Sequence, residues 1–305
     1  DQLQELSQQI AHHFRPHTTA YQEIWLQDSE GQKEKVAEFS PVEEPIYGEC
    51  YLPRKFKIGI ALPEDNCVDI LTYDLGLLAI VENDELVGYN VYVGGGQGVT
   101  PAAKKTYAAV GLKMTFVPAD KAIPVAEAII RCWSDNGNRL DRKQARIKYL
   151  VREWGLEKFK AKVEEYYGSA LPDPRPEEIN DVCDHMGWHE QGDGKLYLGI
   201  NVENGRIKDE GDLQLKTGLR AILSQFKQPC RLTAMQGLIL CDVDPADRDA
   251  IDQLMVDHGI KKADELSLVR RFSMACPALP TCGLSVTESE RVLPRVIDDL
   301  EVELD

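Results

Sequence analysis

Apolar residues recur at helical spacing in LQELSQQIAHHFR at 3–15, and the pattern predicts a short amphipathic helix. An extended AYQEIWL at 20–26 and an acidic, weakly patterned loop to about residue 45 follow. From 56 the pattern becomes strand-like, with runs at 56–62, 67–72, 77–81 and 86–93 divided by Pro-Glu-Asp-Asn, Tyr-Asp-Leu-Gly and Glu-Asn-Asp-Glu turns. Helical spacing returns at 123–133, 139–154 and 157–167, broken at Gly137 and Gly155.

Leu171-Pro-Asp-Pro-Arg-Pro-Glu-Glu178 carries three prolines and reads as a linker. Beyond it the pattern predicts a small α/β unit: strand 196–202, helix 213–226, strands 231–234 and 238–243 with Gln236-Gly237 as the turn, and helix 246–258. From about Ala263 the character changes again, into a cysteine segment and a helix over 286–300 that Pro294 should kink or split.

The 305 residues carry 35 Lys+Arg against 51 Asp+Glu, a formal charge of −16, with 43% hydrophobic residues. Such values describe a globular chain of more than one domain and exclude disorder as its main state. The acidic excess argues against a nucleic-acid partner, because phosphate neutralisation needs clustered cations. No apolar run approaches the roughly 18 residues that span a bilayer, so no membrane partner is expected. Six of the eight cysteines are scattered singly and read as reduced thiols packed as small hydrophobes.

Three constellations could carry chemistry. In Tyr51-Leu-Pro-Arg-Lys-Phe-Lys57, strand alternation after Pro53 sends Lys55 and Lys57 to one face, where two ammonium groups repel unless an anion lies between them. A solvated strand edge with protective lysines is the plainer reading. Cys276 and Cys282 have five residues between them in a proline-broken segment; they could be half of a metal or iron–sulfur site, or two buried thiols. Asn138 to Lys148 is densely basic, and on a helix Arg139, Arg142 or Lys143, and Arg146 would share a face suited to a polyacidic ligand, or to ion pairs with Asp141 and Glu153. Gly94-Gly-Gly-Gln-Gly98 lacks the spacing of a phosphate loop and reads as a turn or close backbone approach. Cys183, His185 and His189 lack an evident fourth ligand.

Taken together, AYQEIW at 20–25, YLPRKFK at 51–57, VGGGQG at 93–98, NGNRLDRKQARIKY at 136–149, GWHEQGDGKLYLGI at 187–200 and SMACPALPTCGLSVTESER at 273–291 resemble the siroheme and 4Fe–4S sulfite/nitrite reductase family, and within it the assimilatory sulfite reductase hemoproteins. The resemblance implies an α+β fold. It places a first catalytic repeat with a mixed sheet at 1–168, a linker at 169–185, part of a ferredoxin-like α/β sandwich domain at 186–262, and the start of a second repeat at 263–305.

By the same resemblance Cys276 and Cys282 are 4Fe–4S ligands, and Lys55 and Lys57 are catalytic groups contacting the anion. Arg54, Arg139, Lys143, Arg146, Thr233 and Gln236 become contacts to the carboxylates of siroheme. Lys57, where nitrite reductases typically have Asn, implies sulfite, and GWHEQGDG looks like members that take electrons from ferredoxin. The implied compartment is the cytoplasm, or the plastid stroma in a photosynthetic eukaryote.

The family's second cysteine pair is absent, Ala234-Met-Gln-Gly237 replaces Asn-Gln-Asn, Arg146 stands where many members have Lys, and Thr100-Pro-Ala replaces Thr-His. The expectation is an internal fragment of a sulfite reductase, inactive by itself, with an exposed apolar face. Rival expectations are nitrite reduction, a non-catalytic anion- or tetrapyrrole-binding scaffold without the cluster, and a two-cysteine metal module shared across a dimer.

Overall fold

The computed structural model describes residues 2–20, 23–38, 43–100 and 102–304; Tyr21 and Gln22 of the first motif and Pro101 lie outside them. The chain forms two compact units, 1–181 and 182–305.

The first unit opens with helix α1 (Gln2–His13), whose Leu6 and Ile10 are its buried positions. Strands β1 (Glu23–Gln27) and β2 (Lys33–Glu38) pair as an antiparallel ribbon, so the expected acidic loop contains a strand. The main sheet has the order β3 (Ile58–Ala61), β4 (Leu75–Glu82), β5 (Glu85–Val93), β6 (Leu112–Pro118). The first pair is parallel and the others antiparallel, giving the mixed sheet that was expected. Asn83 and Asp84 both hold positive φ, the requirement of a two-residue hairpin whose twist matches its strands.

Alternation along β4 divides two cores. Leu75, Leu77 and Ala79 pack with helices α2 (Ala122–Asn136), α3 (Ile147–Trp154) and α4 (Leu156–Tyr167), whereas Leu78 joins Ala61, Ile70 and Tyr92 on the other face. Gly155, at φ 77°, ends α3 and starts α4; its N–H donates to Val151 O at 2.9 Å.

Three expectations change here. The run at 67–72 is not a strand: Asp69 sits in the left-handed region, and the Asn66 side chain takes the Ile70 N–H at 2.9 Å, closing a 3-10 turn over 70–72. Strand β6 was not read from sequence, because its inward Lys113 and Thr115 break the apolar pattern. They bind the proline segment instead: Thr115 Oγ1 donates to Pro172 O at 2.6 Å and Lys113 Nζ to Glu177 O at 2.8 Å. The segment at 171–181 is therefore packed against the first unit, not strung out as a tether. Fully buried Asn90 completes the attachment, donating to Arg175 O and Glu177 O and accepting the Arg175 N–H at 2.8 Å.

The second unit is built on an antiparallel sheet of order β11 (Cys230–Leu232), β12 (Leu238–Val243), β8 (Leu196–Ile200), β7 (Gly187–Glu190). A short ribbon of β9 (Asp209–Glu210) and β10 (Leu213–Gln214) leads into α5 (Leu215–Phe226). That helix and α6 (Arg248–Asp257) cover the sheet through Leu219, Ile222, Ile251 and Met255. The strand at 230–232 lies at the edge of this sheet.

Residues after 263 belong to this unit. Helix α7 (Leu268–Arg271) is capped by Ser267, and its Arg270 pairs with Glu203 at 2.6 Å, Asp298 at 2.5 Å and Glu301 at 2.7 Å. Helix α8 (Leu293–Leu304) begins beside Pro294, which occupies the first turn where a missing N–H is tolerated, so 286–292 is not helical. Leu232, Leu284, Val286 and Val302 are exposed. Of the cysteines only Cys132 and Cys241 are buried, so packing as hydrophobes holds for two of the six single ones. Among the described residues no helix is long and apolar enough to cross a membrane.

Candidate functional site

Residues 51–57 lead into β3 as irregular extended chain, and exposure alternates along them: Lys55 and Lys57 are exposed, Arg54 and Phe56 half-buried. The Phe56 ring lies 5.3 Å from that of Trp133, which anchors the motif to the core and turns the lysines outward. Neither lysine is ion-paired with a carboxylate among the described residues. The Lys57 ammonium lies 5.9 Å from the centre of the Tyr73 ring. Lys55 loses its proton more readily than an ordinary lysine, first because of Lys57, then burial, then Arg54 and Arg146, with Asp74 opposing. That ordering is the electrostatic signature of two ammonium groups held on one side.

Beside the motif lies a cavity of about 450 Å³ walled by Phe14, Tyr47, Tyr51 and Phe56, with Arg54, Lys55 and Arg142 on its lining. Arg139 braces this wall, donating to Tyr51 O at 2.6 Å, Cys50 O at 3.2 Å and Ser134 O at 3.0 Å. Residues 139–146 do not form the expected helix, which starts only at Ile147, so Arg139, Arg142, Lys143 and Arg146 share no helical face. Asn138 and Asp141 side chains take the local N–H groups instead, including that of Lys143 at 2.9 Å. Lys143 is exposed.

Arg146 is turned inward onto Asp74, and Lys148 is buried beneath the glycine loop. The Lys148 ammonium donates to Gly96 O and Gly98 O, each at 3.0 Å, and to Tyr107 O. Burial lowers its proton affinity. The loop thus turns these carbonyls inward onto a cation, the opposite of an anion-cradling loop.

In the second unit, Thr233 Oγ1 accepts the Gly237 N–H at 2.9 Å, shaping the turn between β11 and β12. Gln236 reaches from that turn to Ala275, the neighbour of Cys276. Both Cys276 and Cys282 are exposed thiols, on a loop fixed by Cys282 N to Ala278 O at 2.7 Å and Glu290 N to Cys276 O at 3.2 Å. Two exposed cysteines could offer half of the ligands of a four-thiolate cluster. His189 instead stacks on Tyr197 with 4.7 Å between centroids, its Nε2 3.0 Å from Met186 O. In the sequence Asp74 and Tyr73 read only as turn residues and Lys148 only as the end of the basic run, with no site role; an acid opening the apolar run LGLLAI is the one signal for Asp74.

The sequence and the fold are matched by known protein families. Residues 6–171 match the family described as nitrite and sulphite reductase 4Fe-4S domain, and residues 189–258 match the nitrite/sulfite reductase ferredoxin-like half domain. The chain belongs to the nitrite and sulphite reductase family. It is 43% identical over 305 residues to the ferredoxin sulfite reductase of Synechococcus elongatus, covering 94% of this chain and 48% of that protein. To the NADPH sulfite reductase hemoprotein beta-component of Staphylococcus carnosus it is 44% identical over 297 residues, covering 97% and 51%. The solved NirA protein of Mycobacterium tuberculosis superposes with a TM-score of 0.69 at 25% identity, over 83% of this chain and 44% of that one. The chain spans about half the length of these relatives.

Proposed function

We propose that this chain supplies the anion-binding face and one cysteine pair of a sulfite reductase that takes sulfite to sulfide with six electrons. The observation that carries the reading is the exposed Lys55–Lys57 pair, which makes no ion pair with a carboxylate among the described residues and adjoins an aromatic and cationic cavity. Siroheme fits that cavity chemically: Phe14, Tyr47, Tyr51 and Phe56 match a flat ring, and Arg54 and Arg142 match its carboxylates. Cys276 and Cys282 would hold one side of a 4Fe–4S cluster. Siroheme with the cluster, when bound, would supply electrons to the sulfur.

The chain's own residues do the rest. Lys55 and Lys57 bind the sulfite oxygens through charge-assisted hydrogen bonds and deliver protons to them, so that each departs as water. Bisulfite, six electrons and six protons give hydrosulfide and three waters. The crowding of Lys55 by Lys57 makes Lys55 a readier proton donor than an ordinary lysine. Arg139 keeps the Cys50–Tyr51 wall in place.

We assign ferredoxin as donor from the hairpin GWHEQGDG at 187–194, and the cytoplasm as compartment. The test is turnover by the holoprotein carrying this chain, with reduced ferredoxin and with NADPH plus its flavoprotein. Sulfite-dependent oxidation of ferredoxin is expected. A higher kcat/KM for nitrite than for sulfite would overturn the substrate, and a purified holoprotein without iron–sulfur absorbance would favour the scaffold reading.

A further inference from the structure

We propose that Asp74 is the positioning residue of the anion site: its carboxylate binds the Lys57 backbone and the Arg146 guanidinium together, and places one negative charge among the cations Arg54, Lys55, Lys57 and Arg146. The proposal deepens the reading of Lys55 and Lys57 as a sulfite-binding pair and rests on it.

Asp74 is 0% exposed. Its Oδ1 accepts Arg146 Nε at 3.0 Å, and its Oδ2 accepts Arg146 Nη2 at 2.8 Å and the Lys57 N–H at 2.9 Å. A carboxylate this deep persists as an anion only when paired, and the guanidinium fork is the partner whose geometry fits both oxygens. Burial pushes the Asp74 carboxyl upward while Arg146 and the Lys57 N–H pull it back. Space for the guanidinium exists because residue 96 is glycine; a Cβ there would stand 2.5 Å from Arg146 Nη1. Arg146 Nη2 also donates to Gly95 O at 3.2 Å.

Lys57 is held from both sides of its residue. Its N–H goes to Asp74, and its carbonyl accepts the Leu75 N–H at 3.1 Å. Only its side chain is left to turn, and that side chain lies over Tyr73, the neighbour of Asp74. Gly59 makes room for this ring, since a Cβ there would stand 2.2 Å from it. One short segment, Tyr73-Asp74, therefore sets both the backbone and the ammonium of Lys57. Lys55, two residues earlier, faces Arg54, Lys57 and Arg146 as cations and Asp74 as the opposing acid, with Arg142, Tyr47 and Tyr51 on the same cavity lining.

The test is carbon-13 NMR of reductively dimethylated lysines, with Lys55 and Lys57 assigned by substitution and sodium sulfite as probe. Asp74→Asn keeps the size and an acceptor for the Lys57 N–H but removes the charge. The expected result is a Lys55 midpoint lower than in the unsubstituted chain, with sulfite binding lost at correspondingly lower pH. A merely loosened loop would move Lys55 the other way, toward an ordinary lysine, so an unchanged or raised midpoint in folded Asp74→Asn overturns the proposal.

Should that variant not fold, the unsubstituted chain decides. The Lys57 amide proton must shift with a midpoint above that of an ordinary aspartate, and an amide that ignores pH there overturns the proposal. If sulfite fails to move the Lys55 and Lys57 signals while Asp74→Asn still lowers Lys55, the sulfite reading fails and the Asp74 linkage stands.

Discussion

The side-chain amide of Gln236 bonds both backbone groups of Ala275: Nε2 donates to the carbonyl at 2.9 Å and Oε1 accepts the N–H at 3.3 Å. Gln236 itself holds a φ of 63° in the turn that Thr233 closes. This exchange imitates one rung of an antiparallel ladder and fixes the chain one residue before Cys276. Gln236→Ala should cost about 1–3 kcal/mol, the usual range for unpairing a part-buried polar group. Hydrogen exchange at Ala275 should accelerate, and alkylation of Cys276 should quicken relative to Cys282. Unchanged protection at Ala275 would show that the loop is held by other contacts.

Lys148 is the second test of local architecture. The residue is 2% exposed and its ammonium donates to three carbonyls of the 96–107 loop, with the Tyr107 and Tyr149 rings 5.5 and 5.2 Å away. Lys148→Met keeps the stem and deletes the donors; Gly96 O keeps the Ala109 N–H at 2.9 Å, while Gly98 O and Tyr107 O lose the ammonium. The expected loss is about 3–5 kcal/mol, the scale for removing one partner of a buried charged network. Urea unfolding of the first unit measures it, and a loss below about 1 kcal/mol would mean that water replaces the ammonium.

Acid should loosen the C-terminal helices before it unfolds the rest of their unit. Arg270 and then Ser267 hold the Glu301 carboxyl down to about 2, from an ordinary 4.5. A depressed acid contributes stability that is complete above its unfolded value and is lost as pH falls through the folded one. The attachment of α7 to α8 should therefore weaken between about 4.5 and 2. Amide signals of 293–304 followed against pH should show this step, and Glu301→Gln should remove it. An identical acid step in that variant would show that Glu301 does not carry it.

Much of this was legible because the governing interactions are local in sequence. The hairpin at Asn83-Asp84, the break at Gly155 and the alternation that exposes Lys55 and Lys57 each follow from residue type and spacing. The basic run at 139–146 misled because four cations at helical spacing look like a face, while Asn138 and Asp141 offer their side chains to the same N–H groups that a helix would need. The proline segment misled for another reason. Its polar backbone is satisfied by Asn90, Lys113 and Thr115, which lie more than fifty residues earlier, and no window of sequence shows that pairing. Asp74 shares this character: its partner Arg146 is 72 positions away.

Lys57 offers the sharpest test of substrate choice. Its backbone is bonded to the Asp74 and Leu75 positions, so replacing the side chain should leave the path of residues 55–58 intact. Lys57→Asn removes an ammonium and leaves an amide that still hydrogen-bonds, at shorter reach. Sulfite has three oxygens to bind and release against the two of nitrite, so it should lose more from the change. A charge-assisted hydrogen bond is worth about 1.5–3 kcal/mol, which is roughly a tenfold to hundredfold fall in kcat/KM for sulfite. The loss for nitrite should be at least several-fold smaller. In the same variant Lys55, freed of its largest repulsion, should hold its proton to higher pH, which raises the pH at which anion binding is lost. Parallel losses for both anions, with the Lys55 midpoint unmoved, would show that Lys57 serves the strand edge and not the substrate.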